Sequence, residues 1–430
     1  MSNHNPHPAS KPLLSLDEAL ALLQAAATPL AGVESVPVSA ADGRILAADL
    51  VAGLDVPAMD NSAMDGYAVR LADFSGIEPC TVPVSQRIVA GDSRLQPLAL
   101  GTAARIFTGA LVPPGADAVL MQEWVETVEA DAPATEYSYP EGIRLNASAG
   151  PIQPGQSIRR RGEDMAAGST VLTRGTRLNP AMLGLAASIG LDRLPVAVRP
   201  RVALLSTGSE LVQPGAIAPG DMKPGAVYNS NRFFLAALLT RLGCTVTDLG
   251  LVPDQLDATV QALDAASSQH DLVISSGGVS VGEEDHVKPA VQQLGSLQMW
   301  QIAIKPGKPF AYGRLGDAHF VGLPGNPVSS LVTFLLLVRP LVLWLQGASD
   351  VAIKPIAARA GFDWAKADKR REFLRVRLEA ESGLLALFPN QGSGVLTSAA
   401  WADGLVDVAP GRAIAKGEAV PFLPFSAFWG

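Results

Sequence analysis

Three turns in the second half of this chain have the composition of anion-binding loops. They are STGSEL (206–211), SSGGVSVGEED (275–285) and LPGNPVS (323–329). Small residues let the main chain approach a ligand closely, and exposed N–H groups at helix starts favour a negative group. Neither GxGxxG nor GxxxxGK[ST] occurs, so the pattern supports neither a dinucleotide fold nor a P-loop and points to some other phosphorylated ligand. Taken singly, a Gly pair after a strand also reads as an ordinary tight turn.

Acidic residues fall beside these turns at Glu210, Asp254 and Asp285. Carboxylates that converge on a phosphate do so through a hard cation, because Mg²⁺ takes oxygen ligands and neutralises phosphate charge. The alternative reading of Asp254 is a helix cap after Pro253, and of Asp285 a first-turn acid favoured by the helix dipole. In IKPGKPF, Lys305 and Lys308 flank a Gly between prolines, which stiffen the turn and set two ammonium groups at a fixed separation for an oxyanion. Surface solubility is the plainer reading of two lysines. No Ser-His-Asp set and no HExxH spacing is present, so the chemistry rests on carboxylates, lysines and main chain. A second group of candidates lies earlier, in PAMDNSAMDGYAV (57–69) with Asp60 and Asp65, in RIFTGALVPPGADAV with Thr108 and Gly109, and in RRRGED with Glu163 and Asp164.

The elements that must carry these residues are legible in outline. Ser15 caps a helix with Glu18 as its capping-box partner and Leu16, Leu20 and Leu23 on one face. From 33 to 195 short apolar segments alternate with Gly and Pro, which predicts small β modules, closed by a helix over 180–189. After Pro200 the character changes. RVALLS, CTVTDLGLV, DLVISSGGV and HFVGL read as strands separated by helices in NSNRFFLAALLTRLG, DQLDATVQALDAAS and EEDHVKPAVQQLG. That alternation predicts a mostly parallel sheet covered on both faces, with ligands beyond the carboxyl ends of its strands. From about 351 the alternation in FLRVRLE and the turn NQGSG predict a final all-β segment.

The bulk numbers bound the rest. Hydrophobic residues at 48% and charged residues at 17% suffice to bury a core. The 33 Lys and Arg against 41 Asp and Glu give a net charge of -8, which argues against a nucleic-acid partner. Two cysteines, Cys80 and Cys244, far apart, exclude a disulfide framework or a thiolate metal site and fit a reducing compartment. The opening MSNHNPHPASKP lacks the apolar core of a signal peptide and reads as a disordered lead. The apolar run 331–345, interrupted by Arg339 and Pro340, falls short of the ~20 residues of a membrane span. A soluble, cytoplasmic protein with no membrane contact is expected.

Taken together, PAMDNSAMDGYAVR, FTGALVPPGADAV, RRRGED, STGSEL, NSN, SSGGVSVGEEDH, IKPGKP, GLPGNPVS and GSG resemble the MoeA, or gephyrin E-domain, family of molybdopterin molybdenumtransferases. The match runs in order from about 14 to 398. The resemblance implies a homodimer of four regions: a discontinuous linker or dimerisation domain (13–45 and 150–195), a β-rich insertion (46–149), a three-layer α/β molybdopterin-binding domain (196–346) and a C-terminal β-barrel (347–430). It implies a cleft shared by two subunits, with Asp60 and Thr108 brought toward the three acids. It also implies a reaction in which adenylylated molybdopterin and molybdate yield AMP and molybdenum cofactor with the help of Mg²⁺.

Carried over by motif, the resemblance gives catalytic roles to Asp60, Thr108, Glu210, Asp254, Asp285 and Lys305. Mg²⁺ falls to Glu210, Asp254 and Asp285, and molybdate to Ser280, Lys305, Lys308, Arg370, Arg375 and Ser393. The rest of the binding set is Asp164, Ser206, Thr207, Gly208, Ser276, Gly277, Gly278, Pro324, Gly325, Asn326 and Pro327. Gln301 stands where some relatives carry a Lys, so one positive charge is missing there. Implied partners are a second copy, the small-molecule pterin substrate, the adenylyltransferase upstream and cofactor-modifying proteins downstream. Two rival readings stay open at this level. One is the adenylyltransferase itself, which shares a similar α/β domain, and the other is a non-catalytic gephyrin-like scaffold.

Overall fold

A computed structural model describes residues 13–74, 81–129, 141–146, 149–279, 285–365 and 368–429. The chain divides into two compact units, one of Met1–Ala48, Arg174–Asn179 and Arg193–Gly430, the other of Asp49–Thr173 and Pro180–Asp192.

The first unit is built on a six-stranded sheet. Its elements in chain order are β1 (Arg201–Thr207), α1 (Asn231–Arg241), β2 (Thr245–Val252), α2 (Leu256–Ser267), β3 (Leu272–Ser276), α3 (Val287–Leu294), β4 (Gly295–Gln301), β5 (Pro309–Leu315) and β6 (Ala318–Leu323). The spatial order is β2-β1-β3-β6-β5-β4, with the first three neighbouring pairs parallel and the last two antiparallel. The parallel strands are where RVALLS, CTVTDLGLV, DLVISSGGV and HFVGL predict them, and the antiparallel pair extends the sheet at the far edge.

Alternate residues of the central strands feed two cores. Val202, Leu204, Leu272, Ile274, Val321 and Leu323 pack with α1 and the long apolar helix on one face. Ala203, Leu205, Val273 and Phe320 pack with α2 and α3 on the other. Burial on both faces is what makes these strands continuously hydrophobic. The helical stretch Pro327–Leu345 is long and apolar enough to cross a membrane, with a mean hydropathy of 2.0, but 89% of it is buried inside the protein. Pro340 does not end it. The stretch runs through a π-helical segment at Phe334–Val338 and restarts at Arg339, where a proline in the first turn costs no hydrogen bond.

The helix Leu16–Ala26 begins with the capping box that its sequence predicts, with Ser15 and Glu18 each bonding the other's main chain. Its Leu16, Ala19 and Leu23 enter the core of the α/β sheet. At the other end of this unit, five strands close into a barrel. Arg371–Leu378, Leu384–Leu387, Ile356–Ala360, Ala419–Pro424 and Gly404–Val408 pair in that order, and the last pairs with the first.

The second unit holds a six-stranded sheet in the order Ala118–Met121, Gly66–Val69, Ala103–Ile106, Val82–Ile88, Glu141–Leu145, Val125–Glu129, all antiparallel except the central pair. Short ribbons join Asn61–Ser62 to Ile158–Arg159 and Leu50–Val51 to Thr170–Leu172. The helix Pro180–Ser188 completes it.

Candidate functional site

Because β1, β3 and β6 run parallel in register, with Ser206 opposite Ser276 and Ser276 opposite Leu323, their carboxyl ends open onto one edge. The turns that follow them enclose a cavity of about 800 Å³. Thr207, Gly208 and Glu210 line it from the first turn, Asp254 from the end of β2, Ser276, Gly277, Gly278 and Asp285 from beyond β3, and Pro324, Gly325, Asn326 and Pro327 from the third turn. Ser206 lies one residue back, buried. Ser280 falls outside the described residues.

Two glycines here are required by geometry. Gly277 and Gly278 have φ of +94° and +70°. A Cβ on Gly277 would lie 2.5 Å from the Thr207 carbonyl oxygen, and one on Gly278 would lie 2.3 Å from Val287 Cγ2 and 2.7 Å from Thr207 Oγ1. The turn therefore rests directly on the end of β1, which brings its main chain to the cavity floor. The Gly277 N–H is spent inside the fold, donating to the Leu323 carbonyl at 2.9 Å.

The three acids share this cavity. Among the described residues no three Asp, Glu, His or Cys side chains are grouped as a metal ion requires. Glu210, Asp254 and Asp285 come from three different turns, and the Glu210 carboxylate lies against Gly208. The three acids expected to hold Mg²⁺ thus line one cavity.

The cations gather at the junction with the barrel. Lys305 Nζ lies 2.9 Å from Glu372 and 3.4 Å from Asp368, and Arg370 pairs with the same Asp368 at 3.0 Å. The fold thus brings Lys305 and Arg370 together through a shared carboxylate. The Arg370 guanidinium, as hydrogen-bond donor, and then the Lys305 ammonium hold the Asp368 carboxyl far below the ordinary range. Lys308 is exposed, and its neighbour Pro309 lines the cavity, as does Gly394 beside Ser393. Arg375 is placed differently. It is 1% exposed, and its guanidinium donates to Ser398 Oγ and the carbonyls of Phe373 and Gly392. It braces the Gly392–Gly394 turn, whose Ser393 carbonyl in turn accepts from Val328 N–H at 3.0 Å.

The remaining expected residues lie in the second unit. Asp60 accepts from the Arg161 N–H at 2.8 Å and from the Arg160 guanidinium at 2.6 Å. The first of these bonds, helped by the second, lowers its pKa even though burial opposes. Thr108 donates through both N–H and Oγ1 to Asp65 Oδ1, each at 2.8 Å, and these bonds lower the Asp65 pKa. Asp164 is exposed, and its N–H donates to the Val56 carbonyl.

Sequence reasoning did not single out Tyr228, Asn229, Asn231 and Ser329, which also line the cavity. The signal available for the asparagines is their place in NSN, at the start of α1.

Residues 14–190 match the MoeA N-terminal region (domain I and II), 203–344 a probable molybdopterin binding domain, and 357–425 the MoeA C-terminal region (domain IV). The molybdopterin molybdenumtransferase of Haemophilus influenzae is 42% identical over 364 residues, 84% of this chain and 85% of its own. That of Bacillus subtilis is 32% identical over 389 residues, covering 88% and 87%. A crystal structure of the molybdopterin biosynthesis MoeA protein of Pyrococcus horikoshii superposes with a TM-score of 0.80 at 28% identity, covering 96% of this chain and 99% of that one.

Proposed function

The chain belongs to the MoeA family of molybdopterin molybdenumtransferases, and on that premise we propose that its cavity holds adenylylated molybdopterin while molybdate is placed on the dithiolene, with release of AMP. The observation that carries this is the convergence of three small-residue turns and three carboxylates on one cavity of about 800 Å³. Its size and its mixed lining suit a pterin bearing phosphate. The matches over 14–190 and 357–425, beyond the pterin domain, favour the transferase over an adenylyltransferase.

The soft sulfur ligands belong to the substrate, so the protein needs no thiolate of its own. Burial pushes the Cys244 thiol up to about 12, which keeps it protonated and inert. The side chains of this chain orient and neutralise. Main-chain and hydroxyl groups of the turns hold the phosphate-bearing ligand, while Lys305, Lys308, Arg370 and Ser393 hold molybdate by charge and hydrogen bonding, with Arg375 positioning the Ser393 turn. Glu210, Asp254 and Asp285 are the carboxylates that would hold a Mg²⁺ ion. Such a cation would neutralise the substrate's phosphates as well as the acids. The working enzyme is a cytoplasmic homodimer that receives its pterin from an adenylyltransferase and passes cofactor to modifying proteins.

Incubation of the purified protein with adenylylated molybdopterin and molybdate tests the reading. AMP released in step with molybdenum bound to the pterin is the expected result. ATP consumed with free molybdopterin, and no AMP from the adenylylated form, overturns it.

A further inference from the structure

Two asparagines of one short segment share chemistry and depth but differ in hydrogen bonding. Asn231, the first residue of α1, is 6% exposed, and its Nδ2 donates to Ser276 Oγ at 3.0 Å and to the Gly325 carbonyl at 2.9 Å. Both amide hydrogens are used, and they tie the turn after β3 to the turn after β6. Asn229 is 4% exposed and lines the same cavity. Its main-chain N–H donates to the Val212 carbonyl and its Oδ1 accepts from the Arg232 N–H at 3.4 Å, yet its Nδ2 has no hydrogen-bond partner among the described residues. Exchanging the amide oxygen and nitrogen does not relieve this, because Nδ2 would then face the Arg232 N–H, donor against donor.

A buried amide donor without an acceptor is unfavourable, and native folds satisfy nearly all of them. One that persists on the wall of a cavity is aimed at something the cavity binds. Thr207 Oγ1 is in the same position, buried, lining the cavity and without a partner among the described residues. Both groups are neutral, in a lining otherwise supplied with carboxylates from Glu210, Asp254 and Asp285. Neutral donors complement an oxygen acceptor without pairing to those acids.

We propose that Asn229 is a ligand-binding residue whose Nδ2 donates to a phosphoryl or carbonyl oxygen of the bound pterin, with Asn231 as the positioning residue that holds the two turns around it. The inference rests on the reading of the cavity given above. It assigns the NSN segment a share in binding that the glycine turns alone do not supply.

Anaerobic titration calorimetry with free molybdopterin, and with its dephosphorylated form, tests this on the wild-type protein and two variants. Asn229→Asp keeps the oxygen that accepts from Arg232 and removes the donor. Asn229→Ala removes both without adding a charge. The expected result is a Kd raised at least about tenfold in both variants, with a melting temperature of the ligand-free Ala variant within a few degrees of wild type but a smaller gain on adding ligand. A residue with only a structural role would lower the ligand-free melting temperature and leave that gain intact. A penalty that survives with the dephosphorylated ligand places the acceptor on the pterin ring, and one that disappears places it on the phosphate. Wild-type binding that both variants reproduce overturns the assignment of Asn229 alone. A folded wild-type protein that binds neither form overturns the cavity reading itself.

Discussion

The Lys305 ammonium lies 2.9 Å from the carboxylate of Glu372, a side chain only 3% exposed that also accepts from the Trp364 indole N–H at 3.1 Å. The pair links the IKPGKP turn to the first barrel strand, where Ile304 and Lys305 run parallel to Arg371 and Glu372. Burial opposes the charge of Lys305, but hydrogen bonding and attraction from Glu372 and Asp368 outweigh it and raise its pKa above the ordinary lysine value. If Lys305 captures molybdate, these two carboxylates compete for the same ammonium.

Glu372→Gln should therefore tighten molybdate binding by a few-fold, while Lys305→Met should weaken it by about tenfold or more. Lys305 is about a third exposed but Glu372 is buried, so Lys305→Met should cost more stability than a surface pair does, while Glu372→Gln, which keeps an acceptor for the Trp364 N–H, should cost less. Titration calorimetry with molybdate and urea unfolding check both changes. Weaker molybdate binding in Glu372→Gln would show that the carboxylate assists capture and would end the competition argument.

Gly278→Ala should cost about 2–4 kcal/mol, combining a left-handed backbone with a collision in a packed site. The added methyl meets Val287 and Thr207 at once. Gly277→Ala should cost as much, since its obstacle is the Thr207 carbonyl, part of a central strand that cannot yield. Urea unfolding measures the loss, and a change below about 0.5 kcal/mol in both would mean that the turn does not rest on β1 as described.

What the sequence disclosed was local. The Ser15–Glu18 capping box, the strand and helix alternation after Pro200 and the three small-residue turns depend on neighbours a few positions apart. A parallel sheet then sends its turns to one edge, so their convergence was also legible. Contacts that span long stretches of chain were not. Asn231 meets Gly325 across 94 residues, and the carboxylates that hold Lys305 come from the barrel. Arg375, an anion ligand by motif, is buried and donates to Ser398, Phe373 and Gly392, contacts that its neighbours in sequence do not announce. The acids were placed at the edge where the cavity opens, because each follows a strand of the same sheet.

His319 sets a pH limit on the sheet. It is buried between Tyr312 and Arg314, its Nε2 2.6 Å from the Arg314 guanidinium and its Nδ1 2.9 Å from the Tyr312 hydroxyl. Because a guanidinium only donates, Nε2 is the acceptor and Nδ1 carries the hydrogen. Burial, then the Arg314 charge, lowers its pKa from the ordinary 6.5 to about 4. The unfolded chain thus takes up a proton at a pH where the folded chain refuses it, so the contribution is complete above 6.5 and is lost as pH falls from 6.5 toward 4. The loss is on the order of 3 kcal/mol across that window. Urea unfolding at pH 7.0, 5.5 and 4.5 should show a shallower decline in His319→Gln than in wild type, and parallel declines would refute the role.

Metal dependence should be a property of the complex. Mg²⁺ demands near-ideal octahedral oxygen geometry and gives up water reluctantly, so three carboxylates on separate turns make a poor site. Titration of Mg²⁺ into the protein alone should give a Kd weaker than about 1 mM. Adding the phosphate-bearing substrate should tighten it, and by linkage Mg²⁺ should tighten the substrate by the same factor. Asp285→Ala should abolish cation-dependent AMP release and leave the unfolding midpoint little changed, because the side chain lines the cavity and belongs to neither core of the sheet. One-to-one micromolar binding of Mg²⁺ by the protein alone would instead require the acids to close around the ion, and the shared acidic lining would have to be redrawn as a metal centre.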